Sequence, residues 1–193
     1  MPSKKPNVIW IFSDQQPGYS LGFAGDSNAR TPNLDILSRQ GISFPNAVAG
    51  FPLCCPFRGS LITGLYPHHC VPGHEYPLDP AHGTIADVFN DQGYDTAYFG
   101  KWHLDGHKER DGRGAKHVVP AERRGRFKTW FGFENNNSQY DSWIHGDVGT
   151  DAVHYRLPGY ETDELTTLLL DYLGGKAAEE SDPFFAVLSV QPP

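Results

Sequence analysis

The chain has 193 residues, enough for a substantial hydrophobic core, and its formal charge of −7 argues against a nucleic-acid binder, which would carry a basic excess. Three cysteines, two of them adjacent, do not make a disulfide framework, and the apolar stretch from Val8 to Phe12 is too short for a signal-peptide core or a membrane span. The chain as it stands is therefore expected to be soluble and cytoplasmic, without nucleic-acid or membrane partners; a leader ahead of it would make it periplasmic or secreted.

In chain order, strand and helix signals alternate. Residues 7–13 form a continuous β-prone apolar run, as expected for a strand buried on both faces. Residues 31–41 read as a helix with Thr31 as N-cap, Pro32 at its first position and Gly41 as its stop. A second capped helix opens at Thr84, and a strand follows over 95–99. Asp163 caps a third helix, whose Leu165, Leu168, Leu169, Tyr172 and Leu173 fall on one stripe and predict a core-facing surface. Phe184–Val190 is the last buried strand.

Residues 104–160 show no sustained period and are predicted to be an irregular insertion lining the substrate cleft. Gly112, Arg113 and Gly114, a run of three asparagines from Asn135 and scattered aromatics mark it. Trp130, Tyr140, Trp143 and His145 are candidates there for stacking on a sugar or aryl group, although core packing is the commoner role of an aromatic. Nine of the sixteen Lys and Arg residues lie between Lys101 and Lys128, against four acidic ones, so an acidic protein carries one basic segment suited to an anionic substrate.

Helices of about ten residues between apolar strands imply right-handed crossovers. The expected architecture is α/β, a largely parallel sheet with helices on both faces. Such sheets bind ligands at the carboxyl ends of their strands. Asp14 and Gln15 after the first strand, Gly100, Lys101, Trp102 and His103 after the second, and Gln191, Pro192 and Pro193 after the last should therefore converge. Asp14 and Gln15 offer hard oxygen ligands of the kind calcium and magnesium take. Lys101 and His103, on alternate positions, are placed to face one cleft.

The densest chemistry lies in Cys54-Cys55-Pro56-Phe57-Arg58, a C-x-P-x-R motif. Proline is tolerated in a first helical turn, so a helix is expected to begin just after Cys54, and its unpaired N–H groups and dipole favour a thiolate or an oxyanion there. Arg58 adds a planar donor one turn on. Two other readings apply to the cysteine. Most free cysteines are small, buried, inert side chains. Cys54, Cys55, His68, His69 and Cys70 also form a soft-ligand group, but adjacent cysteines fit the spacing of zinc sites poorly.

The motif resembles that of the sulfatase family, the formylglycine-dependent branch of the alkaline phosphatase-like superfamily. In that family the first cysteine of the motif is converted to formylglycine by a separate enzyme, which assigns the role to Cys54. Ile62-Thr63-Gly64 continues the family pattern and Leu65 departs from its arginine. Gly100-Lys101-Trp102-His103-Leu104 is similar to a second family motif, and Thr31 to Asp35 and Tyr66-Pro67-His68 are also family-like. The resemblance spans residues 7–103 and returns at 183–193.

The resemblance implies a sulfuric ester hydrolase acting on a sulfated carbohydrate or aryl sulfate. Asp14, Gln15 and modified Cys54 would be part of a divalent cation site, calcium by preference and magnesium or manganese otherwise. Hydrated formylglycine would attack sulfur, with the cation, Arg58 and Lys101 neutralising charge and His103 managing protons near its ordinary pKa. The partner would be a formylglycine-generating enzyme. The later metal ligands of the family have no match, so 1–193 is expected to be the N-terminal, truncated part of a longer catalytic domain. Two alternatives share the constellation. One is a phosphonate monoester hydrolase or phosphodiesterase of the same superfamily, which Gln15 suits; the other is a noncatalytic binder of sulfated glycans with Cys54 unmodified.

Overall fold

The computed structural model describes residues 5–108, 114–148, 150–178 and 182–192. Gly112 and Arg113, singled out in the sequence, lie outside them, as does Pro193. The strands are β1 (Val8–Ser13), β2 (Asp95–Lys101), β3 (Thr129–Phe133), β4 (Trp143–Val148), β5 (Asp151–Arg156) and β6 (Phe184–Val190). The α-helices are α1 (Pro32–Gln40), α2 (Cys54–Thr63), α3 (Pro67–Cys70), α4 (Ile85–Asp91) and α5 (Glu161–Ala178).

One six-stranded sheet runs in the order β1-β6-β2-β3-β4-β5. Its first four strands are parallel, with Trp10 opposite Val187 and Tyr98 opposite both Val187 and Trp130. β4 and β5 are added antiparallel. The sheet is thus mixed, parallel from β1 to β3 and antiparallel beyond it.

Both faces of β6 are covered, which explains why its sequence is apolar throughout. Phe185 and Val187 pack with Tyr98, Cys55 and Ile62 of α2 and Ala86 of α4. Phe184, Ala186, Leu188 and Val190 face the other way, against Leu165 and Leu169 of α5. The expected stripe on α5 is therefore a core surface, although the helix begins at Glu161, two residues before the expected cap at Asp163. Thr84 caps α4 with a reciprocal box, its own N–H donating to Asp87 Oδ2 at 2.7 Å.

The region expected to be irregular carries three strands. Their period is hidden because each is five or six residues long and carries polar or glycine positions, and because β5 alternates only partly buried with exposed side chains at the sheet edge. Trp130 and His145 are 3% and 1% exposed, packed ring against ring with centroids 5.0 Å apart. As placed, neither stacks on a substrate; both fill the core. Tyr140 is exposed, and Trp143 is half-buried beneath the Lys116 ammonium.

At the opposite edge, β1 is not the strand buried on both faces that its apolar run predicts: it lies at the end of the sheet, with Trp10 and Phe12 partly buried on one face and Ile9 and Ile11 46% and 62% exposed on the other. α1 buries none of its residues. Among the described residues no helix is long and apolar enough to cross a membrane.

Candidate active site

Four parallel strands end at one edge, and the residues that follow them meet there. β1 ends in Asp14, whose backbone N–H donates to the Val190 carbonyl of β6 at 3.0 Å. β2 ends in Lys101. α2 brings Cys54 to the same place at its first turn, with Leu53 as N-cap and Phe57 N–H closing the first intrahelical bond on the Leu53 carbonyl. The N–H groups of Cys54 and Cys55 have no intrahelical partner at that position, so the positive end of the helix faces Asp14.

The geometry is a buried ion cluster. The Arg58 guanidinium donates to Asp14 Oδ1 at 2.5 Å, and Lys101 Nζ lies 2.8 Å from Asp14 Oδ2. Cys54 Sγ, half-buried, stands 3.9 Å from the same Oδ2. Burial alone would raise the Asp14 pKa, but the charges of Arg58 and Lys101 outweigh it and hold the carboxyl below its ordinary value. One carboxylate between two cations leaves a formal surplus of one positive charge in a desolvated site. Such a site favours an anion.

Arg58 is committed largely to protein acceptors, with its Nε left without a partner among the described residues. Besides Asp14, its Nη1 donates to the Lys101 carbonyl at 2.6 Å and to Ser189 Oγ at 2.8 Å, and its guanidinium lies over the Phe12 ring. Its side chain is 2% exposed. The sequence places Arg58 as a donor to the anion; the structure makes it the residue that fixes Asp14 and the end of β2. The Lys101 carbonyl also accepts from the Tyr98 hydroxyl and, at 3.0 Å, from Ser189. Three donors on one carbonyl pin the strand end from which the Lys101 side chain projects.

Gly100 is required for that strand end to approach β6. It sits at φ +107, and a Cβ there would overlap the Ser189 carbonyl oxygen. Three residues on, His103 also has a left-handed backbone, φ +55, and is 2% exposed. Neither of its ring nitrogens has a hydrogen-bond partner among the described residues. Burial first, then the charges of Lys101 and Arg58, lower its pKa to about 3. The expectation of titration near neutrality is thereby corrected: the imidazole is neutral here. An anion opposite the ring would offset those cations and make protonation easier.

Gln15 is exposed and turned out of the strand by a left-handed backbone, φ +58. The two cysteines differ sharply. Cys54 is half-buried at the cluster, whereas Cys55 is 1% exposed, its thiol pushed up to about 11 by burial. The soft-ligand grouping of Cys54 and Cys55 with His68, His69 and Cys70 is not assembled: His68 and His69 are exposed, and the Cys70 thiol faces the Tyr66 carbonyl.

Several supporting residues have little sequence signal. Ser189 has one in hindsight, as a lone polar residue in an apolar strand. Glu134, fully buried after β3, accepts the N–H groups of Leu104 at 3.2 Å, Asp105 at 2.9 Å and His107 at 3.4 Å and so clamps the loop beyond His103. Glu161 holds Asn136 and Ser142 in the same way.

With this arrangement in view, the comparisons with known proteins are decisive. The Sulfatase family model matches residues 6–193. The chain belongs to the sulfatase family. It is 37% identical over 195 residues to an ulvan-active sulfatase of Formosa agariphila, covering 98% of this chain and 35% of that protein. It is 28% identical to an endo-4-O-sulfatase of Bacteroides thetaiotaomicron, covering 99% and 43%. Among solved structures, a Bacteroides fragilis protein described as the sulfatase yidJ superposes with a TM-score of 0.85 at 28% identity, covering all of this chain and 46% of that one. A second, at TM-score 0.79 and 25% identity, covering 98% and 35%, is bound to its substrate D-glucosamine-2-N,6-O-disulfate. The chain therefore spans less than half the length of these relatives.

Proposed function

We propose that this chain forms the nucleophile-bearing part of a sulfuric ester hydrolase acting on a sulfated carbohydrate. The observation that carries the proposal is the position of Cys54: at a helix N-terminus, 3.9 Å from a buried carboxylate, inside a cluster with surplus positive charge. The relatives support this substrate class, since one is named for its activity on ulvan and a structural neighbour is bound to a glucosamine disulfate.

Formylglycine, made from Cys54 by a formylglycine-generating enzyme, would supply a hydrated aldehyde, one hydroxyl of which would displace the sugar alcohol from sulfur, and loss of a proton from the other would expel sulfate and restore the aldehyde. A divalent cation, calcium in first place and magnesium or manganese otherwise, would be held by Asp14, Gln15 and residue 54. The 3.9 Å between Asp14 Oδ2 and the side-chain end of residue 54 suits two ligands of one ion, which at about 2.3–2.6 Å each stand up to roughly 5 Å apart. Gln15 offers a third, amide oxygen, short of the about six to eight that calcium takes. We infer that the missing ligands come from polypeptide outside these residues, which would also cover the exposed Ile9 and Ile11 at the open edge of β1.

The chain's own residues then divide the work. Lys101 exchanges its contact with Asp14 for an oxygen of the sulfate, where a buried ammonium stabilises charge that grows in the transition state. Arg58 keeps Asp14 ionised and oriented. His103, neutral and without a protein partner on either nitrogen, takes up a proton as the anionic group moves against it. Lys101 and His103 are thus the proposed catalytic side chains, with Arg58 a positioning residue.

Mass spectrometry of the peptide containing Cys54 from the full-length protein tests the proposal, together with turnover of an aryl sulfate and an aryl phosphodiester. An aldehyde at position 54 and faster sulfate cleavage are expected. An intact thiol without turnover would leave the glycan-binder reading, and preference for the diester would move the protein to the phosphonate monoester hydrolase branch.

A further inference from the structure

A different group of side chains stands behind Cys54. Cys55, on the second position of α2, directs its sulfur into the protein, 3.8 Å from Nδ1 of His74. The ring of His103 meets that of His74 edge to face, centroids 5.3 Å apart. One ligand atom from each of the three lies within 4.8 Å of the other two, the group of this kind found among the described residues. His103 is 2% exposed, one of its ring nitrogens belongs to this group, and neither nitrogen has a hydrogen-bond partner among the described residues.

We propose that Cys55, His74 and His103 form a binding site for a soft divalent metal ion, zinc by class, separate from the hard-oxygen site at Asp14. Thiolate and imidazole select zinc over calcium, which takes oxygen ligands. A tetrahedral zinc, with bonds of about 2.3 Å to sulfur and about 2.0–2.1 Å to nitrogen, holds its ligand atoms roughly 3.5 Å apart. Closing the three atoms from within 4.8 Å to that spacing asks for small side-chain adjustments, and His74, being exposed, has room to make its share. His74 also opens the site to solvent, so the fourth position takes water. Binding displaces the thiol proton of Cys55 to solvent and forms the sulfur–metal bond with no change of oxidation state.

One consequence rests on the sulfatase reading. A metal ion on His103 removes that imidazole from the sulfate, so zinc would switch the esterase off reversibly. Nothing in the hard-ion site is needed for this effect.

The test uses cobalt(II) as a spectroscopic probe on the full-length protein. A sulfur-to-cobalt charge-transfer band is expected at one equivalent, displaced by zinc, and retained in Cys54→Ala. His74→Ala, at an exposed position, should keep its fold and lose more than about tenfold in cobalt affinity, since removing even a supporting partner of a metal ligand costs that much. Cys55→Ser should lose the band. Absence of the band in the native protein, or its loss in Cys54→Ala and survival in Cys55→Ser, overturns the proposal. Zinc inhibition of ester cleavage, relieved by chelator and absent in His74→Ala, supports the coupling. A cobalt site without zinc inhibition would sustain the metal proposal and refute the role given to His103 in catalysis.

Discussion

Asp14→Asn is the sharpest perturbation of the ion cluster, because it changes charge and almost nothing else. The Asp14 side chain is 7% exposed, and its partners Arg58 and Lys101 are 2% and 4% exposed, so water cannot replace the lost carboxylate. The substitution raises the formal charge of the cluster from one to two and leaves both cations unpaired. Removing one partner of a buried pair costs about 3–5 kcal/mol. Lys101→Met, in contrast, takes the cluster to neutrality and leaves the Arg58–Asp14 pair intact. It should cost about 1–2 kcal/mol, one charge-assisted hydrogen bond less the relief of repulsion. Urea unfolding followed by circular dichroism, at unchanged m-value, measures both. Inorganic sulfate should restore more stability to Asp14→Asn than to the native protein. A cost for Lys101→Met equal to or above that for Asp14→Asn would refute the surplus-charge argument.

Gly100→Ala should destabilise by about 2–4 kcal/mol through a strained backbone and overlap with the Ser189 carbonyl, measured by the same unfolding assay. Glu134→Ala leaves up to three loop N–H groups unsatisfied, and faster hydrogen exchange at Leu104, Asp105 and His107 should report it. His145, lowered to about 3 chiefly by burial and then by Arg124, is neutral in the fold but protonates at an ordinary value once unfolded. The unfolded state then binds more protons below about pH 6.5, so stability falls with falling pH, by about 2 kcal/mol between pH 7 and 5 for this residue. Thermal unfolding at both pH values checks the sign, with His145→Gln removing this residue's share of the dependence while His103, lowered to about 3 as well, keeps a similar one; a stability that rises on acidification contradicts it.

The sequence by itself determined the strands and helices whose apolar run, stripe or end signals extend over the whole segment, because such a pattern survives without neighbours. β1, β2, β6 and the core stripe of α5 were legible for that reason, and so was the start of α2, where Pro56 and the motif coincide. The short strands β3 to β5 were not, since β3 is completed by hydrogen bonds to β2 and the other two extend the sheet antiparallel from it. At the site, the sequence selected Asp14, Cys54, Lys101 and His103 as residue types at strand and helix ends. Only the tertiary structure decided that Arg58 is spent on Asp14 and the Lys101 carbonyl, that His103 is neutral, and that Cys55 and His74 meet behind it. Those facts depend on which charges a buried group faces across the sheet, and that field is made by residues as far apart in the chain as Asp14 and Ser189.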